Sequence, residues 1–169
     1  MTYTLPFRVA IVTVSDSGFA GTRPDGSRPA LEALLKERHY PVVSAAIVPD
    51  DLPQIASILT RLCDEGVADL ILTTGGTGLS PRDVTPEATE RVLDRAVPGI
   101  SEAMRAASME ITPRAMLSRG VSGIRGGTLI VNLPGSPKAA GECLSAVLPA
   151  LDHGLATLKG TVTNCATLP

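Results

Sequence analysis

The six residues from Val9 to Val14 carry no charge and are mostly β-branched, and they end at Ser15-Asp16-Ser17-Gly18. A run that is apolar at every position, not at every second one, marks a strand buried on both faces and leaving into a polar loop. The same pattern recurs at Asp69 to Thr74, which runs into Gly75-Gly76-Thr77-Gly78, and at Thr128 to Leu133, which is cut by Pro134-Gly135-Ser136-Pro137. Val42 to Val48 gives a further strand, stopped by Pro49-Asp50-Asp51. Between these runs the apolar spacing changes to that of helices. Ser27 has the chemistry of an N-cap for a helix to Glu37, and Ile55, Ile58, Leu59 and Leu62 follow the i, i+3, i+4, i+7 rule from a start near Pro53 to a stop at Gly66. Thr85 and Pro86 read as N-cap and first residue of a helix reaching about Ala96, and another runs from about Ile100 to Ile111. Residues 112–127 show no assignable periodicity. Pro149 is expected to split the last helical region in two, since an interior proline costs about 3 kcal/mol.

Strands and helices alternating over short links predict an α/β fold: a three-layer αβα sandwich with a mostly parallel central sheet. The length of 169 residues suits one domain, read as residues 1–160 with a short tail at 161–169. Fifteen basic against seventeen acidic residues leave a net charge of −2, which argues against a general nucleic-acid or membrane surface. Any anion must be gripped locally. Cys63, Cys143 and Cys165 are odd in number and widely spaced, so neither a disulfide framework nor a zinc site is expected. The first eight residues lack a basic stretch before an apolar run, and no segment reaches about 18–20 apolar residues, so a cytoplasmic protein is expected. Tyr3, Phe7, Phe19 and Tyr40 are all the aromatic residues, so a flat ligand needs backbone and aliphatic walls.

In open parallel sheets ligands bind beyond the carboxyl ends of the strands, so the four loops after the apolar runs should share one rim. Gly75, Gly76, Thr77 and Gly78 can turn successive N–H groups toward phosphate oxygens, or can simply make a tight turn. The loop is not a Walker A sequence, because no lysine stands where that motif has it. Asp50 and Asp83 follow strand ends and are candidate carboxylates for a shared Mg²⁺, whereas Asp51, just before Pro53, suits an N-cap. Ser15 and Asp16 read either as ligand contacts or as an Asx-type turn. Asn132 is an amide at the end of an apolar strand and needs partners, from a ligand or from a neighbouring loop. Ser136 has the form of an N-cap. Arg114, Arg119 and Arg125 can gather around an anion or stand solvated. His39 and His153 have no second ligand nearby in sequence.

Three stretches together carry a resemblance: Thr74 to Gly78 with Pro81 to Ala88, Ile111 to Arg119, and Asn132-Leu133-Pro134-Gly135. With them the chain resembles the molybdopterin adenylyltransferase family of molybdenum-cofactor biosynthesis, including the G domains of gephyrin-like proteins. The resemblance implies a homotrimer that transfers AMP from ATP to the terminal phosphate of molybdopterin, with pyrophosphate leaving and the product passing to a molybdate-insertion protein. It implies Asp50 and Asp83 as essential carboxylates and Mg²⁺ ligands. Gly75, Gly76, Thr77, Gly78, Asn132, Pro134, Gly135 and Ser136 become substrate contacts, and Ser118 and Arg119 lie near the pterin phosphate; Ser15 and Asp16 join the substrate-contact candidates from their place after the first strand. Two alternatives from other classes are a molybdopterin carrier without catalysis and an oligomeric scaffold.

Overall fold

A computed structural model describes residues 6–161. The expected strands form where the apolar runs stand: β1 (Val9–Val14), β2 (Val42–Val48), β3 (Leu70–Thr74) and β6 (Thr128–Leu133), joined by two short strands, β4 (Arg95–Ala96) and β5 (Ser122–Arg125). The sheet order is β2-β1-β3-β6-β5-β4. β2, β1, β3 and β6 run parallel, and β5 is antiparallel to both β6 and β4. The chain leaves β1 on one side to form β2 and returns on the other side to form β3. The loops after β1 and β3 therefore diverge and leave a crevice at their carboxyl ends.

Among the described residues six α-helices accompany the sheet: α1 (Asp16–Phe19), α2 (Ser27–Glu37), α3 (Leu52–Asp64), α4 (Thr85–Val92), α5 (Pro98–Met109) and α6 (Pro137–Leu158). Successive strand residues feed opposite layers. Val9, Ile11, Leu70, Leu72 and Val131 pack with Leu31 of α2, Met104 of α5 and Leu144 and Leu148 of α6. Their neighbours Ala10, Val12, Ile71 and Ile130 pack with Ile55 and Leu59 of α3 and Ala88 and Val92 of α4. Strands apolar at every position are thus explained by helices on both faces. Cys63 and Cys143 are buried packing residues, while Cys165 and residues 162–169 lie outside the described range. No helix among the described residues is long and apolar enough to cross a membrane.

Several local expectations are corrected. Pro149 does not divide α6. Leu144, Val147, Leu148, Leu151 and Leu155 hold one continuous buried stripe, and Pro149 and Ser145, four residues earlier, are both exposed, so water can reach the carbonyl that the proline leaves unpaired. α4 ends at Val92 and not near Ala96, because Arg95 and Ala96 pair with Ile124 and Gly123 across the sheet. Residues 112–127 hold a 3-10 turn (Pro113–Leu117) and β5, which forms a hairpin with β6 around Gly126-Gly127. Ser27 and Thr85 are first helical residues, not N-caps. The Ser27 hydroxyl donates to Gly135 O (2.8 Å) and that of Thr85 to Gly75 O (2.9 Å).

Candidate functional site

The loops after β1, β2, β3 and β6 are bonded to one another, as parallel strand ends require. Asp16 and Asp50 exchange main-chain and carboxylate bonds: Asp16 N–H donates to Asp50 Oδ2 and Asp50 N–H to Asp16 Oδ1, both at 3.0 Å. Arg82 clamps the same Asp16 carboxylate with Nη2 at 2.7 Å and Nε at 3.1 Å. On the other side of the crevice Gly75 N–H donates to Leu133 O (3.2 Å) and the Thr74 hydroxyl to Pro134 O (2.8 Å). A Cβ on Gly76 would stand 3.1 Å from Asp50 Oδ1, and one on Gly78 would stand 2.9 Å from Asp83 Oδ2. The Thr85 hydroxyl stands nearer still to the Cβ position of Gly76, so glycine is needed at both places because side chains approach the loop closely.

Two clefts open onto this junction. One, about 640 Å³, lies between the glycine loop, α5, the 3-10 turn and α6, with Arg105, Arg114 and Ser118 beside Met104, Ile111 and Leu117. The other, about 650 Å³, is lined by Ser15, Arg23, Asp25, Ser27, Asp50 and Gly75. Gly76, Asp83, Gly135 and Ser136 line both. Among the described residues, neither cleft is lined by an aromatic side chain. A further shallow depression of about 740 Å³ around His39, Tyr40 and Val43 lies at the opposite end of β2, away from this rim.

The main chain supplies donors at the junction. Among the described residues, the N–H groups of Gly76, Thr77 and Gly78 have no hydrogen-bond partner, so three consecutive donors stand beside the cleft. Ser136 occupies the N-cap position of α6 without making a capping bond, and it lines both clefts. The positive end of the 22-residue α6 therefore meets the glycine loop.

Charge is uneven across the carboxylates. The Arg82 guanidinium, helped by the Asp50 N–H, holds the Asp16 carboxyl below the usual range. Burial pushes the Asp50 carboxyl up, and the charges of Asp16 and Asp83 add to that rise. Asp83 Oδ2 accepts from Ser80 N–H at 2.9 Å.

Several sequence candidates have structural duties. Ser15 lines the second cleft and caps α1 by accepting from Gly18 N–H (3.0 Å). Asp16 lines neither cleft and instead buttresses Asp50. Asp51 caps α3 through Gln54 N–H (3.0 Å) as expected. The buried Asn132 amide donates to Thr73 and Thr89 hydroxyls (2.9 Å each) and accepts from Val121 N–H (3.2 Å), so the protein itself satisfies it. The three arginines do not gather. Arg114 lines the first cleft, Arg119 braces the glycine loop, and Arg125 pairs with Asp64 at the other end of the sheet. Arg105, whose Nη1 donates to Gly120 O (3.0 Å), was missed because nothing in an α5 periodicity distinguishes a cleft-facing arginine from a solvated one.

Comparison with known proteins agrees with this arrangement. The family described as "Probable molybdopterin binding domain" matches residues 10–153. The molybdopterin adenylyltransferase of Helicobacter pylori strain J99 is 40% identical over 159 residues, covering 90% of this chain and 88% of the relative. Gephyrin of Dictyostelium discoideum is 41% identical over 89% of this chain, which spans 22% of that longer protein. The crystal structure of the molybdopterin biosynthesis enzyme MoaB from Thermus thermophilus superposes with a TM-score of 0.87 at 53% identity, covering 91% of this chain and 97% of its own. On this similarity, with the matched segments converging on one rim, the chain belongs to the molybdopterin-binding domain family that includes the molybdopterin adenylyltransferases and gephyrin.

Proposed function

We propose that the chain is a molybdopterin adenylyltransferase, moving AMP from ATP to the terminal phosphate of molybdopterin and releasing pyrophosphate. The observation that carries this reading is the meeting of two clefts at Gly76, Asp83, Gly135 and Ser136, beside three unpaired main-chain donors. A reaction between two phosphorylated molecules needs two pockets and a shared place for phosphate.

In the proposed step a terminal phosphate oxygen of the pterin attacks the α-phosphorus of ATP. A new P–O bond forms, the bond from that phosphorus to the bridging oxygen breaks, and its electron pair leaves with pyrophosphate. The attacking oxygen is already ionised at neutral pH, so no general base is needed. The barrier is charge repulsion plus alignment. The N–H groups of Gly76, Thr77 and Gly78 and the amino end of α6 offset negative charge, while Met104, Ile111 and Leu117 give the flat ring an apolar wall. Arg105 and Arg114 add positive charge in the same cleft.

Asp50 and Asp83 fit a Mg²⁺ ion that is completed by phosphate. Among the described residues no three His, Cys, Asp or Glu side chains form a metal cage. Mg²⁺ characteristically takes one or two carboxylates and fills the remaining positions with phosphate oxygens and water. When bound, the ion supplies charge neutralisation on the triphosphate. The reading includes a cytoplasmic homotrimer and hand-over of the adenylated product to a molybdate-insertion protein.

The test mixes purified molybdopterin, ATP, Mg²⁺ and the protein and looks by mass spectrometry for the adenylated pterin. Binding of molybdopterin without that product contradicts the reading and favours a carrier. Asp83→Asn is expected to fold normally and to suppress turnover, and unchanged pyrophosphate release rejects the role of Asp83.

A further inference from the structure

The family resemblance puts Arg119 beside a substrate phosphate, but the structure commits its side chain elsewhere. Arg119 Nε donates to Gly78 O (2.7 Å), Nη2 donates to Asp83 O (2.5 Å), and Nη1 is paired with the Glu87 carboxylate. Its own N–H donates to Thr77 O (2.9 Å). One residue therefore holds three carbonyls along the segment from Thr77 to Asp83. Ser118 and Gly120, on either side of it, line the first cleft, whereas Arg119 lines neither cleft.

The segment it holds has little packing of its own. Leu79 is 65% exposed, and Arg82 turns outward to Asp16. Asp83 stands at the end of this segment, its Oδ2 fixed by Ser80 N–H and close against Gly78. Glu87 lies in the first turn of α4, so the Arg119 fork ties the loop to a helix that packs on the sheet. Bridging two carbonyls and a carboxylate at once requires a planar group with several fixed donors. A lysine ammonium cannot reproduce that geometry.

We infer that Arg119 is a positioning residue for Asp83, braced by Glu87 and acting through the carbonyls of Gly78 and Asp83, and is not a contact to substrate. This rests on the adenylyltransferase reading only for the role of Asp83. Glu87, on the same grounds, serves to hold the fork in place.

The test compares wild type, Arg119→Lys and Glu87→Gln by kcat, by molybdopterin affinity read from pterin fluorescence, and by amide hydrogen exchange over residues 78–85. Positioning predicts that Arg119→Lys lowers kcat about tenfold to a hundredfold with affinity changed by less than about threefold. Exchange over 78–85 should quicken, and Glu87→Gln should shift kcat and exchange the same way by less. Should Arg119→Lys fail to fold, Glu87→Gln carries the same comparison. The inference is overturned if affinity weakens about tenfold while kcat holds, which is how a direct phosphate contact behaves. Unchanged exchange over 78–85 overturns it equally. A wild-type protein that transfers no AMP refutes the adenylyltransferase reading instead, and the exchange data then decide the role of Arg119 alone.

Discussion

Replacing Gly75 by alanine probes the tightest point of the rim. Gly75 has φ +103°, and a Cβ there would stand 2.3 Å from Val14 O, where real contacts stay beyond 3.0 Å. Val14 ends the interior strand β1, which is paired on both sides by β2 and β3 and has little room to yield. The loop must therefore move by most of an ångström or keep a strained backbone, at about 1–3 kcal/mol. The bonds from Thr85 Oγ1 to Gly75 O and from Gly75 N–H to Leu133 O add about 0.5–1.5 kcal/mol each if they are lost. A total of about 2–6 kcal/mol lowers the melting temperature by about 4–24 °C in a protein of this size. A displacement of that order in the donors costs turnover about a hundredfold. The assay is thermal unfolding by circular dichroism beside AMP transfer. Gly154→Ala is the control, because its Cβ meets nothing within 4 Å inside α6, and it should stabilise by about 0.5–1 kcal/mol. If Gly75→Ala melts with wild type and turns over normally, the close approach to Val14 is not what shapes the loop.

Three further outcomes follow from the charges and the buried amide. The Asp50 carboxyl is raised by burial, so the folded state holds its proton more tightly than the unfolded state and stability falls as pH rises through that range. Asp50→Asn should therefore raise the melting temperature at neutral pH while abolishing AMP transfer; a lower melting temperature contradicts this. At Asp69, burial pushes the carboxyl up, but bonds from Arg8 and Lys159 outweigh it and leave the net shift downward. Its contribution is present above the ordinary carboxylate range and is lost as pH falls through the lowered value. Asp69→Asn should cost about 1–3 kcal/mol at neutral pH, with the gap to wild type closing in acid denaturation. Asn132→Leu strands Val121 N–H and the Thr73 hydroxyl and should cost about 1–3 kcal/mol per stranded group, measured by urea unfolding.

The elements legible in the sequence were those whose cause is local. β1, β3 and β6 carry no charged residue because helices cover both faces, and Asp51 caps α3 by the chemistry of its own neighbours. What escaped was decided at long range. Arg95 and Ala96 continue a helical pattern by composition, yet pairing with β5 draws them into the sheet. Gly126-Gly127 between Ser122–Arg125 and Thr128–Leu133 is a hairpin signal, but other glycines nearby in the sequence mask it. At the site, the glycine loop and the two aspartates were visible because strand ends and glycine spacing mark them. Whether a polar side chain faces a ligand or the protein was not visible: Asn132, Asp16 and Arg119 are each spoken for by partners 11 to 66 residues away.

The central claim is that the two clefts bring a pterin phosphate to the α-phosphorus of ATP. It is tested most directly by running the reaction with ATP labelled at the α-phosphate in one portion and at the γ-phosphate in another. The α label should appear on the pterin and the γ label in pyrophosphate, with the two products formed in equal amounts. A γ label on the pterin, or no α label on it while both molecules bind, would contradict the account.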